Sequence, residues 1–173
     1  MRGVFTAAVC AVLFLATACN QPAADKSAEK LTDTADQADA ALPDKHNVAK
    51  VISSYITLKN ELVKSDAAAG KKAAAALEDE LIEIKGCAEA ANMARAISET
   101  DDIAAQRESF TTLSNDIISL AKGIKTATPA YVAFCPMAND GKGGYWLSET
   151  EGIRNPYYGD AMLECGSVKE VLK

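Results

Sequence analysis

Between residues 44 and 125 the apolar side chains recur at helical spacing. Val48, Val51, Ile52, Tyr55, Leu58 and Leu62 follow at steps of 3, 1, 3, 3 and 4, which is one stripe of a helix expected over residues 44–64. Ser65 and Asp66 are N-cap candidates for a second helix. It places Leu77, Leu81, Ile84, Ala88 and Ala91 at alternating steps of 4 and 3, with Gly86 as a break that leaves residues 88–98 as a separate helical piece. A third long helix is expected from Thr100-Asp101-Asp102, where a cap and acidic side chains suit the positive end of the helix dipole. Its Phe110, Leu113, Ile117, Leu120 and Ile124 repeat at 3, 4, 3 and 4, and Pro129 limits any continuation. No such helix can bury its stripe alone. The pattern therefore predicts a mainly α fold: an antiparallel three- to four-helix bundle, with an irregular Gly- and aromatic-rich C-terminal segment packed on it. Ser167-Val168-Lys169-Glu170 has capping-box spacing and predicts a short terminal helix.

Ahead of the helices stands a run of another kind. Arg2, the apolar run from Val4 to Ala16 and the small residues before Cys19 read as an export signal over residues 1–18, too short for a permanent membrane span. Ala16-Thr17-Ala18 fits an ordinary signal-peptidase site, and small residues directly before Cys19 fit a bacterial lipobox. Both cut between Ala18 and Cys19, and the lipobox reading makes Cys19 the acylated anchor. Residues 19–43 carry almost no large apolar side chain and read as a disordered linker. Residues 44–173 then form one domain.

The C-terminal part of that domain, residues 135–165, concentrates chemistry. It holds the only Trp and three of the five Tyr, so any site is expected there. In Cys135-Pro136-Met137 the residue before proline is held extended, which turns the Cys and Met side chains to one side. In Met162-Leu163-Glu164-Cys165 the i,i+3 spacing puts thioether and thiol on one helical face. Four sulfurs in convergence would form a soft donor set that selects Cu(I). The competing reading is a Cys135 to Cys165 disulfide with both Met as core filler. If the metal reading holds, the sulfurs of Cys135, Met137, Met162 and Cys165 cluster within roughly 4 to 8 Å, with Cys87 apart from them in the bundle. Asn139-Asp140-Gly141-Lys142-Gly143-Gly144 lacks the spacing of a phosphate loop and the oxygens of a calcium loop, and reads as a tight turn. Trp146, Tyr157 and Tyr158 are expected to pack the segment together.

The phrases Cys-Pro-Met-Ala, Gly-Tyr-Trp-Leu-Ser, Ile-Arg-Asn-Pro-Tyr-Tyr-Gly and Met-Leu-x-Cys-Gly resemble those of a domain of unknown function. That domain occurs as a stand-alone exported protein and appended to periplasmic adaptor subunits of Cus-type copper and silver efflux pumps. The resemblance covers about residues 46–166, since Gln106-Arg107, Phe110 and Leu113-Ser114 are similar too. It implies a helical bundle and a role in heavy-metal handling, and it points to Cys135, Met137, Met162 and Cys165 as metal ligands. Members often carry additional His, whereas here His46 stands alone.

The remaining signals exclude more than they add. A net charge of −6, with Lys and Arg spread among acids, leaves no basic face for nucleic acid. One His argues against a His-based triad or a His-rich zinc site. The expectation is a non-enzymatic lipoprotein on the periplasmic side of a bacterial envelope, held to the membrane by its lipid alone and soluble in the periplasm if Cys19 is not acylated. It would bind Cu(I) or Ag(I) and work with a heavy-metal efflux component. The alternative is a disulfide-stapled envelope interaction module without metal.

Overall fold

The structure is a computed structural model that describes residues 45–125 and 128–173. The expected signal peptide, the acylated Cys19 and the linker lie outside the described residues. Four long helices occupy the first part: α1 (Lys45–Val63), α2 (Ala67–Leu81), α3 (Ala88–Ser98) and α4 (Ile103–Lys122). The starts of α2 and α4 follow the caps read from sequence. Asp66 accepts a hydrogen bond from Ala69 N at 2.9 Å, and Asp102 accepts one from Ala104 N at 2.9 Å, so each cap satisfies an amide that the first turn leaves unpaired. Each helix packs on the next, and α4 also returns to α1.

The stripes face inward as expected. Val48, Val51, Tyr55, Leu58 and Leu62 meet Leu77 and Leu81, Ala94 and Ile97, and Phe110, Leu113 and Ile117 in one core, all of them fully buried. Ala88 departs from the expected seam: it opens α3 and is exposed, because the break at Gly86 resets the helical phase. Among the polar side chains Lys59, Gln106 and Ser114 are buried as well.

The C-terminal segment is not the irregular loop expected. It contains β1 (Ala130–Cys135), β2 (Gly144–Ser148) and β3 (Ser167–Leu172), an antiparallel sheet in the order β2-β1-β3. The terminal residues form β3 rather than a helix. A single capping-box pattern cannot offset the cost of nucleating so short a helix, whereas Val168, Val171 and Leu172 suit a strand and find β1 open for pairing. The run 139–144 is the turn expected. Ala138–Gly141 makes one short turn in which Asn139 and Asp140 take φ of 52° and 54°, the left-handed region that these two side chains tolerate best among non-glycine residues.

Register places Ala133 opposite Trp146 and Cys135 opposite Gly144 on one face of the sheet. On the other face Val132, Tyr145 and Glu170 line a groove with Asn115, Ile118, Ser119 and Lys122 of α4, where Lys122 and Glu170 pair at 2.6 Å. None of the described helices is long and apolar enough to cross a membrane.

A thiol pair as candidate functional site

Cys135 ends β1 and is fully buried. Cys165 lies just before β3 and is half-buried. Thirty residues apart in sequence, their sulfurs approach to 3.0 Å as two free thiols, one donating to the other. That contact holds the Cys165 thiol above its ordinary pKa, with burial and the proximity of Cys135 acting in the same direction.

The phrases that surround the two cysteines explain why they meet. Asn155, fully buried, donates from Nδ2 to Cys165 O at 3.0 Å and accepts at Oδ1 from Tyr157 N at 2.9 Å. Its own amide donates to Leu163 O at 2.8 Å, and its carbonyl accepts from Gly159 N at 3.0 Å. One side chain thus ties both ends of the excursion that returns the chain to β3. Arg107 of α4 donates from Nε to Pro156 O at 2.8 Å, and from Nη2 to Leu62 O at 3.0 Å and Ser65 Oγ at 2.8 Å. It fastens the same excursion to the turn between α1 and α2. Gly166 has φ +142°, and a Cβ there would stand 2.8 Å from the Trp146 ring and 2.9 Å from Phe134 O. Only glycine lets the backbone beside Cys165 lie against β1 and Trp146.

Rings connect this corner to the helical core. Tyr55 stacks on Phe110 at 5.3 Å between centroids, Phe110 meets the edge of Tyr157 at 5.8 Å, and Tyr157 meets Trp146 at 6.1 Å. The Tyr157 hydroxyl donates to Tyr145 O at 2.5 Å and the Tyr158 hydroxyl to Met137 O at 2.6 Å. Burial pushes the hydroxyl pKa of Tyr55 and of Tyr157 well up, so both stay neutral. The aromatic side chains expected to pack the segment do so, and they carry the position of the thiols back to α1 and α4.

The two methionines are placed differently. Met137 precedes the left-handed turn and is 52% exposed. Met162 closes the 3-10 turn Gly159–Met162, is half-buried, and accepts the Cys165 amide at its carbonyl at 3.1 Å. Cys87 occupies the N-cap position of α3 without a side-chain hydrogen bond and packs against the core, where burial and then Asp116 raise its pKa. His46 lies exposed in the first turn of α1. Among the described residues no three His, Cys, Asp or Glu side chains are grouped so as to hold a metal ion.

Residues 51–128 match the model of a family described as "Protein of unknown function (DUF3347)". The match runs from within α1 past the end of α4 and stops before β1, so the thiol pair lies beyond it. No curated protein and no solved structure matches the chain.

Sequence reasoning missed Arg107 and Asn155 as organisers of this region, and it missed the burial of Lys59 and Gln106 in the helices. Arg107 and Asn155 stood within the phrases that carry the family resemblance, which was the available signal. Gln106 stood beside Arg107 in the same phrases, and Lys59 had no signal beyond its helical phase.

Proposed function

We propose that this protein is an exported lipoprotein, anchored through Cys19 on the periplasmic side of a bacterial envelope, that binds Cu(I) or Ag(I) at Cys135 and Cys165. It acts in heavy-metal handling as a carrier or buffer beside an efflux component, and not as an enzyme. The helical part is an antiparallel four-helix bundle that serves as the platform for the site. One observation carries the reading: two free thiols lie 3.0 Å apart at a corner fixed by Asn155, Gly166 and the ring column. Metal–sulfur bonds of about 2.3 Å at a near-tetrahedral angle space two sulfurs by about 3.7 Å, so an ion needs the pair to open by less than an ångström. Since no further His, Cys, Asp or Glu joins the pair in a ligand group among the described residues, additional donors would be the thioethers of Met137 and Met162. Such an all-sulfur set favours a soft monovalent ion.

The test is anaerobic titration of the reduced protein with Cu(I) against a competing chelator. The protein should withdraw copper, and Cys135→Ser with Cys165→Ser should abolish the withdrawal. No withdrawal, or equal binding by the double variant, ends the proposal. For the anchor, Cys19→Ala should move the protein from the membrane fraction to the soluble one.

The 3.0 Å approach also favours a second reading, a disulfide-stapled interaction module without metal, because a disulfide needs the sulfurs only about 1 Å closer. A free-thiol count on protein taken directly from the envelope separates the two. A bridge at Cys135 and Cys165 supports the module, and two thiols protected by Cu(I) support the carrier.

A further inference from the structure

We propose that Cys165 and Cys135 form a reversible thiol–disulfide exchange site for low-molecular-weight disulfides, in which Cys165 is the entry thiol and Cys135 the resolving thiol. This goes beyond metal binding and does not require it, although both processes use the same two sulfurs. Three observations assign the roles. Cys165 is half-buried, whereas Cys135 is fully buried at the end of the central strand, so a disulfide from solution reaches Cys165 first. The sulfurs stand 3.0 Å apart, near enough for the second thiol to attack the first after small rotations. The excursion between them is held without a covalent bond, by Asn155 on Cys165 O and Leu163 O, by Arg107 on Pro156 O and by the Tyr158 hydroxyl on Met137 O. A permanent staple is thus not what brings the cysteines together, and the bond can open without releasing the segment.

The Cys165 thiol gives up its proton, and its sulfur attacks one sulfur of R–S–S–R. A Cys165–S–S–R bond forms, the R–S–S–R bond breaks, and R–S⁻ leaves and takes up a proton as R–SH. The deprotonated Cys135 sulfur then attacks the Cys165 sulfur, forming the Cys135–Cys165 disulfide and expelling the second R–S⁻, which is also protonated to R–SH. The protein loses two electrons and two protons, and the external disulfide gains them. An excess of R–SH runs the two steps backward.

The probe is oxidised glutathione added anaerobically to reduced, metal-free protein, followed by intact mass and peptide mapping. Wild type should reach the Cys135–Cys165 bridge through a transient adduct on Cys165, and reduced glutathione should reopen it. Cys135→Ala should stop at a stable adduct on Cys165, and Cys165→Ala should modify Cys135 at least about tenfold more slowly. Adduct on Cys87 is mapped separately. Modification of Cys135 in Cys165→Ala at the rate of Cys165, an early wild-type adduct on Cys135, or a bridge that reduced glutathione cannot open would overturn the assignment. Early quenching of wild type decides the order of attack even if an alanine variant fails to fold. Copper withdrawal with no exchange would defeat this inference and leave the metal reading standing, and exchange without copper withdrawal would do the reverse.

Discussion

Lys59 of α1 donates from its ammonium to a carboxylate oxygen of Glu149, 2.9 Å away and 90 residues later in the chain. The Lys59 side chain is 2% exposed and that of Glu149 is 45% exposed, so a core charge is answered from the surface, just past the end of β2. Asn60 holds the second carboxylate oxygen at 3.1 Å. Removing one partner of a fully buried pair costs about 3–5 kcal/mol, because an unpaired charge stays inside. Here water can reach the place of the carboxylate, which lowers the expectation for Glu149→Ala to about 2 kcal/mol. Lys59→Met removes the charge itself and should stay within about 1 kcal/mol of wild type. Urea unfolding of the two variants checks the order, and a larger loss for Lys59→Met would refute it.

The same pair sets a pH dependence. Burial raises the Glu149 pKa, but the hydrogen bond from Lys59, the backbone bond, the bond from Asn60 and the ammonium charge outweigh it, and the carboxyl lies below its ordinary 4.5. A carboxyl lowered in the folded state stabilises above its unfolded pKa, and that contribution is lost as the pH falls through the folded value. Stability from this group should therefore decline below about pH 4.5. Lys59 acts at the opposite end. Burial holds it below its ordinary 10.5 despite Glu149, so its protonation penalises the fold, and the penalty is relieved as the pH climbs from the folded value toward 10.5. In urea midpoints measured from about pH 3 to about pH 7, Glu149→Gln should show a shallower acid decline than wild type. An unchanged slope would mean that the carboxylate contributes nothing there.

The helices were legible because one face of each is wet. Phe110, Leu113 and Ile117 recur every three or four residues, and Asp66 and Asp102 announce the starts. The strands were hidden for the opposite reason. Val132 and Ala133 are adjacent and both buried, as are Trp146, Leu147 and Ser148, so the alternation that marks a strand is erased. The meeting of Cys135 with Cys165 was anticipated from their matching surroundings. The partner of Lys59 was not: its phase, four after Tyr55 and three before Leu62, puts it on the buried face, but nothing local in a helix tells which distant acid will answer it.

The thioethers offer a separate test of the metal reading. Met137 is exposed beside the Cys135 end of the site, and Met162 stands three residues before Cys165. Neither is a core filler on the scale of Phe110, so Met→Leu preserves volume and should shift stability by less than about 1.5 kcal/mol. If each thioether binds the ion, Met137→Leu and Met162→Leu should weaken Cu(I) affinity by about tenfold each, equal to about 1.4 kcal/mol. Competition titration of the single variants measures this directly. Unchanged affinity in both would restrict the ligand set to the two thiols.

Asn155 is where the fold and the site are least separable. Its side chain spends both polar ends internally, Nδ2 on Cys165 O and Oδ1 on Tyr157 N, at a fully buried position. Asn155→Ala strands a carbonyl and an amide without partners, which costs about 1–3 kcal/mol for each group left buried. Asn155→Asp keeps the acceptor for Tyr157 N but sets a carboxylate oxygen against Cys165 O, so it should be no milder. The lost stability alone would not establish a role at the site. The informative reading is the spacing of the thiols: once the Cys165 backbone is released, the pair should spend less time in contact. The rate at which oxidised glutathione closes the Cys135–Cys165 bridge should then fall by about tenfold or more, while initial modification of Cys165 is unchanged or faster. If bridge closure keeps its wild-type rate in a variant shown to be destabilised, Asn155 supports the fold alone, and the approach of the two sulfurs is set elsewhere.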